Sequence, residues 1–143
     1  MTVQAILSGK GDDVVTADPN ATLGEAVRIL ATRRIGALVV TGADRRIVGI
    51  LSERDVVRVL GEKGPSALDT PIAEVMTRKV TTCSMRDTIA ELMERMTEGK
   101  FRHVPVVEDG RLAGIVSIGD VVKWRVHEIE DESAALRDYI QTA

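Results

Sequence analysis

Apolar residues recur at helical spacing twice in this chain: at Leu23, Ala26, Val27 and Leu30 behind Thr22, and at Ile89, Leu92, Met93 and Met96 behind Thr88. Each pattern predicts a helix. Ahead of each lies a short apolar element, VQAIL (residues 3 to 7) or IAEVM (72 to 76), and then a brief strand, VVT (14 to 16) or VTT (80 to 82). Two strands are predicted after each helix, joined by the turns TGADRR and EDGR, where Gly and Asp supply the turn chemistry. A further helix opens at Ser52 and at Ser117, where Ser-x-x-Asp lets the hydroxyl cap free backbone N–H groups near a carboxylate.

These parallels amount to an internal repeat. GILSERDVV (49 to 57) returns as GIVSIGDVV (114 to 122), six of nine positions identical at a shift of 65 residues. TLGEAVRIL (22 to 30) aligns with TIAELMERM (88 to 96), and IGALVV (35 to 40) with FRHVPV (101 to 106), at a shift of 66. The leading apolar elements match after a three-residue length difference. Each copy is a β-α-β-β-α unit, a mixed sheet backed by helices on one face. The uncovered face of such a sheet is apolar, so the two units are expected to pack sheet to sheet as a pseudo-twofold pair in an α+β fold. The first unit is expected over 1–64 and the second over 70–125, with a Gly- and Pro-containing connector between them and a helical extension over 126–143. The helix that runs on beyond Asp120 into that extension, with Trp124, Ile129, Leu136, Tyr139 and Ile140, is predicted to cover a neighbour, either the first unit or a second chain.

Composition narrows the function. With 143 residues, 44% hydrophobic and only one Phe, one Trp and one Tyr, the core must be aliphatic. A formal charge of −3 supplies no long-range positive field, so nucleic acid is not an expected partner. No apolar run approaches the ~18 residues that cross a bilayer, and no signal-like stretch is present, so neither membrane association nor export is expected and the cytoplasm is the expected location. Cys83 is the single cysteine and reads as a small buried residue.

The duplicated unit, the segment VxVVEDGRLxGIVSxxD and the paired GILSERD and GIVSIGD resemble the cystathionine-β-synthase-type (CBS) domain pair, or Bateman module, here expected as a stand-alone pair. The resemblance covers about residues 1 to 125. It implies a nucleotide cleft between the units, two pseudo-equivalent sites, and a homodimer of pairs. It also implies that Asp55 and Asp120 accept hydrogen bonds from ribose hydroxyls, a role that suits two carboxylate oxygens facing a vicinal diol. Ser52 and Ser117 carry over as hydroxyls that reach ribose or phosphate. The adenine slot is implied at Val15, Thr16 and Ala21 for the Asp120 site, and at Val80 and Thr82 for the Asp55 site. Arg102 and His103, with Lys100 nearby, fall where basic side chains meet phosphate and are expected to serve Asp120. Gly36 and Ala37 occupy the matching positions of the first copy, so Arg34 and Arg54 are the substitutes expected at Asp55.

The function this implies is a regulatory module, not an enzyme, that binds an adenine nucleotide and passes occupancy to a regulated protein whose identity the sequence does not name. No cofactor is required. AMP is the first choice of ligand, ATP or NAD the next, and S-adenosylmethionine the last, since its sulfonium brings no phosphate to the cations. The alternative is a ligand-free structural dimerisation module. Plainer roles stand beside each residue: Asp55 and Asp120 as helix caps alone, His103 as a core histidine. Nucleophilic catalysis through Ser52, Ser117 or Thr16 is disfavoured because no G-x-S-x-G elbow is present. Metal binding is disfavoured because His103 and His127 lie far apart and no Cys cluster supports them.

Overall fold

In the computed structural model, which describes residues 1–142, Thr22 and Thr88 each start a helix by accepting a hydrogen bond from the backbone three residues on, Glu25 at 3.2 Å and Glu91 at 3.1 Å. The helices are α2 (Leu23–Arg33) and α5 (Ile89–Gly99), and they bury Leu23, Ala26 and Leu30 in one copy and Ile89, Leu92 and Met96 in the other. Each ends in a left-handed residue, Arg34 (φ 53°) or Lys100 (φ 57°), whose N–H bonds back to Leu30 or Met96. A strand pair follows in both: β2 (Ala37–Thr41) with β3 (Ile47–Ser52), then β4 (His103–Glu108) with β5 (Arg111–Ser117), all antiparallel. Asp109 and Gly110 alone join β4 to β5, both at positive φ, the turn form whose twist matches a hairpin. The closing helices are α3 (Glu53–Lys63) and α6 (Ile118–Thr142).

The early strands are unequal. β1 (Thr16–Ala17) pairs in parallel with Val39 and Val40 of β2. In the second copy, the strand expected at 80–82 is reduced to a single parallel bridge between Cys83 and Val106, and Thr82 is exposed. The chain reaches the sheet only at Cys83, whose N–H and carbonyl bond Pro105 and Val107 at 3.0 and 2.9 Å. Burial pushes the Cys83 thiol up to about 12, with Asp87 adding to it, so the group is inert at neutral pH.

Sequence order and spatial order differ at the leading helices. Helix α1 (Val3–Lys10) sends Val3, Ile6 and Leu7 into the core of the second unit, with Ile89, Leu92, Val104 and Val116. Helix α4 (Ile72–Val75) sends Ile72, Val75 and Met76 into the first unit's core, with Leu23, Leu38 and Leu51. The units expected over 1–64 and 70–125 therefore exchange their first elements in space. Backbone hydrogen bonds fix the exchange at matched positions. Val3, Gln4 and Ile89 donate to Asp87, Met85 and Met1, while Ile72, Ala73 and Leu23 donate to Ala21, Pro19 and Thr70. The glycine that opens each repeated motif gives the exchanged helix room. A Cβ on Gly49 would stand 2.5 Å from the Met76 sulfur, and one on Gly114 2.7 Å from a Leu7 methyl.

The sheet faces away from these cores are buried as well. Side chains alternate along a strand, so with Leu38 and Val40 in the first core, Ala37 and Val39 point the other way, yet they too are buried. Pro105, the repeat counterpart of Val39, is buried likewise. The two sheets cover each other there. At the rim, Arg111 bonds Asp44 at 2.9 Å between exposed side chains, a contact of little energetic weight. Helix α6 runs unbroken through the expected extension. Its Trp124 lies against Gly9 of α1, and Glu128 meets the Met1 amine at 3.6 Å, whereas Ile129, Leu136, Tyr139 and Ile140 stay exposed. Among the described residues no helix is long and apolar enough to cross a membrane.

Ile6 is fully buried in a core whose members outside α1 all lie at Cys83 or beyond. Ile6→Ala is expected to cost about 2–5 kcal/mol in chemical denaturation; a loss below about 1 kcal/mol would mean that α1 is not part of that core.

Candidate functional site

Ser52 ends β3 and caps α3. Its hydroxyl accepts the Asp55 N–H at 3.3 Å, while the Ser52 N–H and hydroxyl donate to Asp55 Oδ2 at 3.0 and 3.1 Å. Ser117 and Asp120 repeat the arrangement at 3.2, 2.9 and 3.0 Å. In both copies the cap uses one carboxylate oxygen. Among the described residues the other oxygen of Asp55 has only the Thr77 hydroxyl at 3.5 Å and the exposed Arg58 guanidinium at 3.2 Å. Capping thus leaves an acceptor available, and the two readings of this carboxylate are compatible.

Asp55 opens onto a cleft of about 780 Å³, a volume that suits a small-molecule ligand. Ser52, Arg54 and Asp55 form one side, Val80 and Thr81 a second, and Lys100, Arg102 and His103 a third. This corrects the expected pairing of sites. Lys100, Arg102 and His103, expected beside Asp120, line the cleft onto which Asp55 opens, although His103 also pairs with Ser117 across the hairpin and feels the Asp120 charge. A Cβ on Gly36 would stand 3.0 Å from His103 Cε1, so the small residue there lets the imidazole enter. Thr82 is replaced in the lining by Thr81, since Thr82 turns outward just before the bridge at Cys83. Lys79, Thr77 and Glu53 also line the cleft and were not singled out from sequence. Lys79 and Thr77 lie in the segment after α4, whose course depends on the helix exchange.

The residues expected around Asp120 do not assemble in the same way. Thr16 sits in β1, and Val15 lines a separate cavity of about 710 Å³ with Asp12, Asp13 and Glu108, which Asp120 does not join. Ala21 is occupied structurally, its carbonyl accepting the Ile72 N–H at 2.8 Å. Arg34 is exposed at the end of α2 and lines neither cavity. Asp120 itself receives the Lys10 ammonium from α1 on the same oxygen that caps α6.

Charge separates the two cavities. Arg54, Lys79, Lys100 and Arg102 face Asp55 and Glu53 in the first, whereas Asp12, Asp13 and Glu108 face Arg33 and Arg45 in the second. An anion is favoured in the first and disfavoured in the second. His103 is not a further cation at neutral pH. Burial holds its pKa below the usual 6.5, outweighing the pull of Glu53, and Lys10 and Arg102 add to the depression. The Asp120 carboxyl is held below the usual range by the Lys10 ammonium and the Ser117 N–H, against the opposing effect of its own burial. Among the described residues no group of His, Cys, Asp and Glu is placed to hold a metal ion.

The description of the CBS domain matches this chain twice, at residues 10–62 and 72–127. The chain belongs to the CBS-domain family. A CBS-domain protein of Agrobacterium tumefaciens is 49% identical and superposes with a TM-score of 0.84 over 87% of this chain and 99% of its own. A CBS-domain protein of Pyrobaculum aerophilum, solved in complex with AMP, is 30% identical with a TM-score of 0.75, covering 84% of this chain and 89% of its own. The CBS pair of protein MJ0100, solved with 5′-methylthioadenosine and S-adenosylmethionine, is 27% identical with a TM-score of 0.79, covering 90% and 98%. Among curated relatives, the chain spans 72% of a mitochondrial CBS-domain protein of Arabidopsis thaliana, at 33% identity, and 19% of two others from that plant. The fold expected from the repeat, a pair of CBS units, is the fold observed.

The depressed His103 pKa fixes the sign of a pH effect. The unfolded chain, titrating near 6.5, binds more protons than the folded one in the window below that value, so stability falls as pH drops through it. Urea midpoints measured between about pH 5 and 7 are expected to rise with pH, and His103→Gln is expected to flatten the slope. An unchanged slope in the variant would place the pH dependence elsewhere.

Proposed function

We propose that this CBS pair is a regulatory module, without catalytic activity of its own, that binds an adenine nucleotide in the Asp55 cleft. One observation carries the reading: Asp55, with an acceptor oxygen to spare, and the cations Arg54, Lys79, Lys100 and Arg102 line one cleft from both units. A vicinal diol on Asp55 and a phosphate on the cations would orient the ligand, with Val80, Ile50 and Ile118 available to the base. AMP is the first choice, then ATP or NAD. S-Adenosylmethionine, with which MJ0100 was solved, brings no phosphate to this cleft's cations. Adenosine-based ligands in two structural neighbours, AMP in one of them, support the class.

Binding acts as a signal only if the ligand prefers one packing of the units over another. A cleft lined by both units meets that condition, because occupancy bridges them. The partner that reads the signal is a protein, and the assembly is a homodimer. Val57 and Val122, matched by the repeat, stay 70% and 45% exposed on the outer helices α3 and α6, and a twofold interface would cover them.

Isothermal titration with AMP tests the site. Asp55→Ala and Arg102→Glu are each expected to weaken binding at least about tenfold, ~1.4 kcal/mol, and raising salt should weaken it further. Charge reversal at Arg102 without change in affinity would sink the assignment and make the ligand-free dimerisation module the better reading.

A further inference from the structure

The two copies of the motif differ at the strand edge beside them. In the first copy, the Thr77 peptide pairs with Ile50 in both directions, each bond 2.9 Å. In the second copy the counterpart of Ile50 is Ile115, and its carbonyl accepts the Lys10 ammonium at 3.0 Å. The same ammonium forms the ion pair with Asp120. Lys10 reaches both groups because α1 is longer than its counterpart. Helix α4 ends at Val75, one residue before Met76, whereas α1 passes Leu7, the residue matching Met76, and continues to Lys10. Trp124, standing where the first copy has Val59, lies across Gly9 and holds this extra turn in place; a Cβ on Gly9 would come 2.8 Å from the indole.

We propose that Lys10 is a built-in occupant of the second motif, so that each chain binds one nucleotide, at Asp55, and none at Asp120. The ammonium bridges the Ile115 carbonyl and the capping oxygen of Asp120, so a ligand that entered between this strand edge and the carboxylate would have to break both contacts and rehouse a lysine. The inference rests on the nucleotide reading of the first cleft, and makes that reading asymmetric.

Calorimetric stoichiometry tests it on the native chain. AMP is expected to bind once per chain and to lose that binding in Asp55→Asn. Adding Lys10→Met to Asp55→Asn is expected to uncover one site for adenosine, a probe with the diol and no phosphate, and a further Asp120→Asn to remove it. Two AMP molecules per native chain, or no adenosine site after Lys10→Met, would overturn the role of Lys10 while leaving the nucleotide reading intact. No AMP binding to the native chain would overturn both.

Discussion

The exchange of leading helices holds this structure together and makes its cleft. Neither sheet can complete a core from its own contiguous unit: the first needs Ile72, Val75 and Met76, the second needs Val3, Ile6 and Leu7. Each half would be marginal alone at this size, and the exchange makes each core depend on both. The matched backbone bonds at Ala21, Pro19 and Thr70 and at Asp87, Met85 and Met1 make the crossing part of the repeat rather than a local accident. A chain that crosses in this way must return along the seam between the units. The return segment carries Thr77, Lys79, Val80 and Thr81 into the cleft.

Asymmetry then follows from small differences laid on the same frame. A histidine and an arginine at the start of β4, where the first copy has Ala37 and Gly36, enrich the cleft across the seam and need the smallness of Gly36 to fit. The greater length of α1, eight residues against four in α4, brings Lys10 to the other carboxylate. One copy of the motif thereby faces a cation-lined cleft and the other faces a lysine from α1, although the caps at Ser52 and Ser117 have the same geometry. Duplication supplies two equivalent helix starts. What faces them decides their use.

Much of this was legible in the chain. Helical spacing behind Thr22 and Thr88, the turns before β3 and β5, and the paired Ser-x-x-Asp steps are local features, and local physics realised them. Two things were not legible. The strand at 80–82 looked equal to 14–16 in sequence, but only Cys83 reaches the sheet. Sequence alone places Arg102 and His103 beside the motif of their own unit, whereas packing across the seam also brings them into the cleft at Asp55. Which cleft a side chain enters depends on the relation between the units, and hydrophobic periodicity carries no information about that relation. The length difference before Lys10 was visible; its consequence required knowing that α1 crosses to the second unit.

Hydrogen exchange with and without saturating AMP tests the central claim most directly, since it reads the whole seam in one experiment. Protection is expected to rise in the segments around Thr77–Thr81 and Lys100–His103, at the start of α3 and at Ile118, with residues 8–15 unchanged. Protection of residues 8–15 equal to that at the start of α3 would contradict a single cleft at Asp55, and protection confined to residues 8–15 would reverse the account.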